Sequence, residues 1–207
     1  MKKKAGIKAD HVILDIIGFV LFSLGVAAIM NSLFIKNPTQ IFWGCYLGLI
    51  IMGVGIIKRS SFLIMSQVYI LAIPLLFWDI DFLYWLLFNH PLFGITDYFF
   101  IERTLTISKL ISLQHLFSIP FAIYATRKIG LERRDAWKWS FVQITLVYII
   151  VSFFTLPESN INCVFEPCVN FSFGIPYRIT WFIIFFGMTL LTAVIVNKFL
   201  IRKLKKS

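Results

Sequence analysis

Residues 13–34 read ILDIIGFVLFSLGVAAIMNSLF, an apolar run whose only charged side chain is Asp15. A helix needs about 20 predominantly apolar residues to cross the hydrocarbon core of a bilayer, and this run is long enough. It is also longer than the apolar core of a cleavable signal peptide, and no small-x-small cleavage site follows it. We therefore expect residues 13–34 to form a permanent first transmembrane helix.

The rest of the chain has the same apolar character. Of its 207 residues, 59% are hydrophobic and 14% are charged, whereas soluble domains average about 25% charged residues. The sequence therefore predicts one integral membrane domain over residues 1–207 and no separate soluble domain. The net charge is +10, but the basic residues flank apolar runs. We expect membrane lipids, including anionic headgroups, as partners, and no nucleic acid.

The basic residues alternate with the apolar runs. Sixteen of the twenty Lys and Arg residues fall in four patches, and the connections between the patches are mildly acidic. Because Lys and Arg accumulate in cytoplasmic loops, we place all four patches on the cytoplasmic side of a bacterial cytoplasmic membrane. The patches are Lys2, Lys3, Lys4 and Lys8; Lys58 and Arg59; Arg127, Lys128, Arg133, Arg134 and Lys138; and Lys198, Arg202, Lys203, Lys205 and Lys206.

This positive-inside pattern predicts an all-α bundle of six transmembrane helices with both termini cytoplasmic. Pro74 and Pro120 fall inside the third and fourth spans, where a missing backbone N–H favours a kink. An outer loop at 157–178 joins the last two spans. The predicted spans are residues 13–34, 41–57, 62–78, 106–124, 137–156 and 179–200.

Residues 79–103 do not fit as a seventh span, because counting them would move the basic patch at 127–138 to the outside. The segment is rich in aromatic residues and is interrupted by His90-Pro91 and Gly94. We predict an outer interfacial cap of two short helices. A re-entrant segment is the alternative, and it would need protein or water to satisfy its broken backbone.

Glycines mark the first two spans. Gly44 and Gly48 lie four residues apart in the second span, and Gly18 and Gly25 share a face of the first. Small residues let transmembrane helices approach each other closely. The pattern predicts close helix packing within the bundle and requires no dimer.

Polar residues gather in the outer half of the predicted bundle. In hydrocarbon such groups need partners and tend to face an interior or a cavity. Spacing places Ser108, Ser112 and His115 on one face of the fourth span, and Tyr148 and Ser152 on one face of the fifth. We therefore predict an outward-opening polar pocket. Its candidate residues are His115, Ser112, Ser108, Tyr148, Ser152, Asp79, Asp81, His90, Asp97, Asn160 and Asn162.

His115 is the sharpest candidate, since a neutral imidazole can bind a metal, move a proton or simply bond across helices. Asp79, Asp81, His90 and Asp97 could add cation ligands, but they belong to no recognised metal motif. The sequence predicts no metal site and identifies no cofactor. It also lacks a phosphate-binding loop and a nucleophile elbow.

Cys163 and Cys168 lie in the loop at 157–178, on the side of the membrane where disulfides persist. We predict a structural disulfide between them. The C-x4-C spacing differs from that of a thioredoxin-type redox motif, and Cys45 lies within the second predicted span.

Five short motifs follow one another along about the last two-thirds of the chain: Trp78-Asp79-Ile80-Asp81-Phe82, Leu92-Phe93-Gly94-Ile95-Thr96-Asp97-Tyr98, Ser112-Leu113-Gln114-His115, the stretch from Gly130 to Arg134, and Asn160-Ile161-Asn162. Together they resemble an uncharacterised family of bacterial multi-spanning membrane proteins. The resemblance implies no known activity. It draws attention to the polar residues within these motifs, although Gln114 stands where an aromatic residue is commoner in that family.

Three classes of function follow. The first is a membrane protein that binds or transports a small molecule or lipid through the pocket, although no inverted repeat is visible. The second is a membrane-embedded enzyme, with or without a metal, that acts on a lipid or lipid-linked substrate and uses His115 or His90 as acid, base or ligand. The third is a structural or accessory subunit of a membrane complex. The sequence favours them in that order and identifies no protein partner.

Overall fold

Apolar runs become helices throughout the chain. The computed structural model describes residues 2–100, 106–169 and 174–204, and these contain helices and no β-strand. Three short 3-10 helices, Pro38–Phe42, Pro157–Ser159 and Ile161–Cys163, lie in the connections. The α-helices are α1 (Lys2–Phe34), α2 (Gly44–Ile57), α3 (Ser61–Phe88), α4 (Asp97–Phe100), α5 (Ile107–Ser112), α6 (His115–Ile129), α7 (Ala136–Phe154) and α8 (Tyr177–Leu204).

Four of these helices contain segments that are long and apolar enough to cross a membrane: Asp10–Phe34, Ser61–Phe88, Ala136–Phe154 and Tyr177–Lys198. Helix α2 is also apolar, but it has 14 residues and is shorter than these four segments. Many large apolar side chains on the long helices are exposed, as expected of surfaces that face lipid rather than water. The predicted all-α membrane class is confirmed.

Helix α3 is longer than the sequence predicted. The third span was expected to end at Trp78, with two short helices in a cap beginning at residue 79, but α3 continues to Phe88. It ends at Asn89, which adopts the left-handed conformation with φ 58° that commonly closes helices. Only α4 forms a separate short helix in the segment, whose last residues, 101–103, lie outside the described part of the chain. The predicted boundary at Trp78 was wrong because charge bias shows on which side a segment lies and not where a helix ends.

The predicted fourth span, 106–124, is divided into α5 and α6. The amides of Leu116 and Phe117 bond to carbonyls three residues back, and so does the amide of Gln114. This tighter turn separates the two helices at Leu113 and Gln114. Pro120 lies inside α6, which continues to Ile129. The break therefore lies before the proline rather than at it.

Helices α1 and α2 pack closely through glycine, as predicted. A Cβ atom added to Gly53 would lie 2.6 Å from the backbone nitrogen of Phe22 and 2.7 Å from the carbonyl oxygen of Gly18. A Cβ on Gly25 would lie 2.6 Å from Ile50 Cγ1. These contacts leave no room for a larger residue, so the glycines fix the spacing of the first two helices.

Helix α3 occupies the centre and packs against α2, α6, α7 and α8. Polar side chains along it bond across to α7 and α8. Gln67 Nε2 donates to Gln143 Oε1 at 2.8 Å, and Tyr69 OH donates to Asn197 Oδ1 at 2.7 Å. Because both partners of each bond come from different helices, these bonds fix the register of the bundle.

Described residues in or beside the basic patches meet at one end of the bundle, which we call the basic end. Arg59 forms an ion pair with Asp15 at 2.8 Å, and Lys128 forms one with Asp10 at 2.9 Å. Asn197, next to the fourth patch, donates to the carbonyl of Arg134 at 3.4 Å. These contacts bring the second and third patches together with the first part of α1 and the last part of α8, as the charge pattern predicted.

Candidate functional site

The end of the bundle opposite the basic end is built around Asp81. This buried carboxylate accepts four hydrogen bonds, from the amides of Leu92 and Phe93 on Oδ1 and from the amide and hydroxyl of Thr96 on Oδ2, at 2.6–2.9 Å. A fully hydrogen-bonded carboxylate can be buried at acceptable cost. Asp81 therefore holds the connection between α3 and α4 in place.

Asn160 and Asn162 organise the connection between α7 and α8. Asn160 Oδ1 accepts from the amides of Phe165 and Glu166, and its amide group donates to the carbonyl of Glu166. Asn162 bonds instead to the start of α2, and its own carbonyl accepts from the indole of Trp181 at 3.1 Å. Both side-chain amides bond to backbone, so the hydrogen bonds assign them a scaffolding role.

The predicted disulfide is confirmed: Cys163 and Cys168 are bonded, with their Cα atoms 5.5 Å apart. Asn160 lies beside it, with Nδ2 3.9 Å from Cys168 Sγ. The hydroxyl of Tyr177 donates to the carbonyl of Cys163. The disulfide and the asparagine bonds therefore hold the same loop.

A cluster of buried polar groups lies at the break between α5 and α6. Gln114, His115 and Ser118 are 1%, 8% and 0% exposed. Both polar atoms of the Gln114 amide, His115 Nδ1 and Ser118 Oγ have no hydrogen-bond partner among the described residues. A buried polar group without a partner costs about 1–3 kcal/mol. We call Gln114, His115 and Ser118 the break cluster.

Aromatic rings cover the break cluster on the α3 side. The His115 and Trp78 ring centroids lie 4.5 Å apart in an edge-on contact, and Trp78 stacks on Phe82 at 4.9 Å. Phe82 in turn contacts Phe99 and Phe100 of α4 at 5.0 and 5.2 Å. We call this group of five rings (Trp78, Phe82, Trp85, Phe99 and Phe100) the aromatic cap, in which Trp85 stacks on Phe100 at 4.8 Å.

A chain of hydroxyl and amide groups borders the break cluster. The Trp78 indole donates to Tyr98 OH at 3.0 Å, and the Ser112 side chain interacts with the same hydroxyl. Ser112 Oγ also donates to the carbonyl of Ser108, whose hydroxyl accepts from Asn31 of α1 at 2.9 Å. The predicted pocket residues Ser108, Ser112 and His115 are thus brought together.

Other predicted pocket residues lie elsewhere. Tyr148 packs against α8, with its ring 5.0 Å from Trp181 and 4.6 Å from Phe182, and Ser152 is half-buried on the same helix as Tyr148. His90 is exposed, and its ring contacts Tyr84 at 5.2 Å. Tyr148 therefore packs against α8 and does not join the break cluster.

The acidic candidates other than Asp81 keep an unused oxygen. Oδ1 of Asp79 and Oδ1 of Asp97 are both buried without a hydrogen-bond partner in the described part of the chain. No group of three or more His, Cys, Asp or Glu side chains suited to a metal ion occurs among the described residues. The acids therefore do not join His115 in a metal centre there.

Sequence reasoning missed most of the break cluster. Gln114 was considered only as a departure from a family pattern, and Ser118 and Trp78 were not treated as site residues. One signal was present: residues 114 and 118 are four apart and share a helix face next to His115. It was weak because a Gln or Ser in an apolar run more often bonds to a neighbouring helix.

The fold and its two unlike ends define the class: an all-helical membrane protein with four helices able to cross a bilayer. No family model, curated protein or solved structure matches this chain. The resemblance seen in the sequence therefore stays a prediction.

Proposed function

We propose that this chain is a six-span protein of a bacterial cytoplasmic membrane that binds or transports a small molecule or lipid through its outer half. The observation that carries the proposal is the break cluster: four buried polar atoms of Gln114, His115 and Ser118 have no hydrogen-bond partner among the described residues. Such atoms together cost several kcal/mol unless something else bonds to them. A bound molecule with hydrogen-bonding groups would remove that cost.

The composition of the break cluster restricts the ligand. Gln114 offers an amide donor and an acceptor, His115 an imidazole nitrogen and Ser118 a hydroxyl, and the Trp78 ring contacts His115. Neutral groups in an apolar setting favour an uncharged polar group over an ion. We therefore propose an amphipathic ligand with an uncharged hydrogen-bonding head.

The same geometry ranks the other classes lower. An enzyme would need His115 to be oriented by an acid or to share a metal, and Nδ1 of His115 has no such partner among the described residues. An accessory subunit would need an interface, but it would not need a cluster of buried polar groups that lack hydrogen-bond partners among the described residues. Ligand binding accounts for the cluster most directly.

Substitution of Gln114 tests the proposal. In the ligand-free protein, Gln114→Leu removes an unpartnered buried amide and is expected to raise the melting temperature. It is also expected to abolish retention of a co-purifying small molecule or lipid, measured by mass spectrometry of extracts of the purified full chain. Thr189→Val is the matched control, since Thr189 Oγ1 on α8 is another buried atom with no hydrogen-bond partner in the described part of the chain. Equal compound profiles for Gln114→Leu and wild type would contradict the proposal.

The six-span topology treats α2 and the α5–α6 pair as the two short spans. Single cysteines in place of Lys36 and Arg134, in a background lacking the three native cysteines, separate the two sides. A membrane-impermeant thiol reagent applied to intact cells should label residue 36 and spare residue 134. Labelling of both positions, or of residue 134 alone, would contradict the topology.

A further inference from the structure

A groove of about 240 Å³ opens at the basic end, between the start of α3 and the first turns of α7. Its lining combines two cations, one acid and three apolar side chains. They are Phe62, Arg133, Asp135, Lys138, Trp139 and Val142.

Two cations line the groove. The Arg133 guanidinium sits over the Phe62 ring, 5.2 Å from its centroid, and binds Asp135 through two bonds of 2.8 and 3.0 Å. Lys138 Nζ lies 5.8 Å from the centroid of the Trp137 ring. A phosphate group entering the groove would meet one lysine and one arginine, the two side chains that bind phosphates best.

The apolar side chains that α7 contributes to the groove, Trp139 and Val142, begin an apolar face that continues along the helix. Trp139, Val142, Leu146 and Ile149 are 43–49% exposed, and their spacing of three and four residues places them on one face of the helix. An exposed apolar face on a helix long enough to cross a membrane meets acyl chains. Tryptophan at such a position is typical of the membrane interface.

We propose that this groove is a specific binding site for an anionic phospholipid. The headgroup phosphate contacts Arg133 and Lys138, and one acyl chain lies along the α7 face from Trp139 to Ile149. The groove continues into the exposed apolar face of α7, which favours a phospholipid over a free anion. Inorganic phosphate has no acyl chain and would make no contact with that face. Basic pockets between transmembrane helices bind anionic headgroups in this way.

Asp135 limits the affinity of the groove for the anionic lipid. Arg133 hydrogen-bonds to its carboxylate and holds the pKa of Asp135 below its usual value, so the acid stays ionised at neutral pH. The lipid phosphate must therefore compete with Asp135 for the guanidinium. Removing the acid's charge should tighten binding, and removing either cation should weaken it.

The experiment measures the affinity of the purified full chain for phosphatidylglycerol and phosphatidylcholine of the same acyl chains by native mass spectrometry from detergent. Wild type should bind one phosphatidylglycerol in preference to phosphatidylcholine. Arg133→Gln and Lys138→Gln should each weaken that binding about fivefold, the effect of about one basic residue near an anionic lipid. Asp135→Asn should tighten it by a similar factor, and 10-fold molar excess of inorganic phosphate over the lipid should not displace it.

Arg133→Gln and Asp135→Asn form a matched pair, because both break the same ion pair and only one removes a cation. If the ion pair only maintains the local structure, both variants should change the lipid affinity in the same direction. That result would overturn the proposal. Arg127→Gln is the control for the general field of the basic end, since Arg127 is exposed and does not line the groove. An equal loss in Arg127→Gln, equal affinity for the two lipids, or displacement by phosphate would also overturn it.

Discussion

Asn162 Oδ1 accepts a hydrogen bond from the backbone N–H of Gly44 at 2.8 Å, although 118 residues separate the two in the chain. Asn162 Nδ2 also donates to the carbonyl of Phe42 at 2.8 Å. The first backbone N–H groups of a helix have no partner within the helix. One side chain from the α7–α8 connection therefore completes the start of α2.

Asn162→Ala removes both bonds and should destabilise the protein by about 1–3 kcal/mol, because two half-buried backbone groups lose their partners. Asn162→Asp keeps the acceptor for Gly44 and should cost less. Thermal unfolding of the purified protein in detergent measures both. Equal melting temperatures for Asn162→Ala and wild type would show that the contact with Gly44 contributes little.

Gly53→Ala should disrupt the packing of α1 on α2. The new Cβ would meet backbone atoms of Phe22 and Gly18 within 2.7 Å, and backbone cannot move aside as a side-chain end can. Overpacking of this kind costs about 1–3 kcal/mol. Gly187→Ala is the control, since a Cβ there meets nothing within 4 Å. The melting temperature should fall for the first variant and stay unchanged or rise slightly for the second.

Asp81→Asn should loosen the connection between α3 and α4. An amide in place of the carboxylate turns one acceptor atom into a donor, which faces either the amides of Leu92 and Phe93 or that of Thr96. The loss of about 1–3 kcal/mol corresponds to roughly 5- to 150-fold faster exchange of these amides, measured by hydrogen–deuterium exchange. Asp97→Asn is the comparison, because Asp97 Oδ1 has no hydrogen-bond partner in the described chain. Unchanged exchange in Asp81→Asn would remove Asp81 from its anchoring role.

The disulfide predicts a defined thiol count. Denatured, unreduced protein should react with a maleimide at Cys45 alone, and reduction should raise the count to all three cysteines. Replacing both Cys163 and Cys168 with Ser should lower stability by about 2 kcal/mol, the chain-entropy value for so short a loop. Cys45→Ala controls for the loss of a cysteine elsewhere. Three reactive thiols before reduction would contradict the pairing.

Some features could be predicted from the sequence because their causes are local. The hydropathy of residues 13–34 and 179–200 depends on consecutive residues alone, and both runs form helices that include them. The spacing of Cys163 and Cys168 allowed only a short loop, and the glycines of the first two spans left little room between helices. In each case a few neighbouring residues carry the whole physical argument.

Other features depend on partners that are distant in the chain. Nothing near Asp81 in the chain indicates that α3 continues past it to Phe88, or that its carboxylate accepts four hydrogen bonds from residues 92–96. Nothing near Asn162 indicates that it bonds to the start of α2, and nothing near Gln114 indicates that its buried amide has no hydrogen-bond partner among the described residues. Hydropathy reports how each segment partitions into a bilayer, and so the sequence by itself determined the class of protein and its basic end. Which polar groups among the described residues have hydrogen-bond partners, and which do not, was decided only when the tertiary structure brought the helices together.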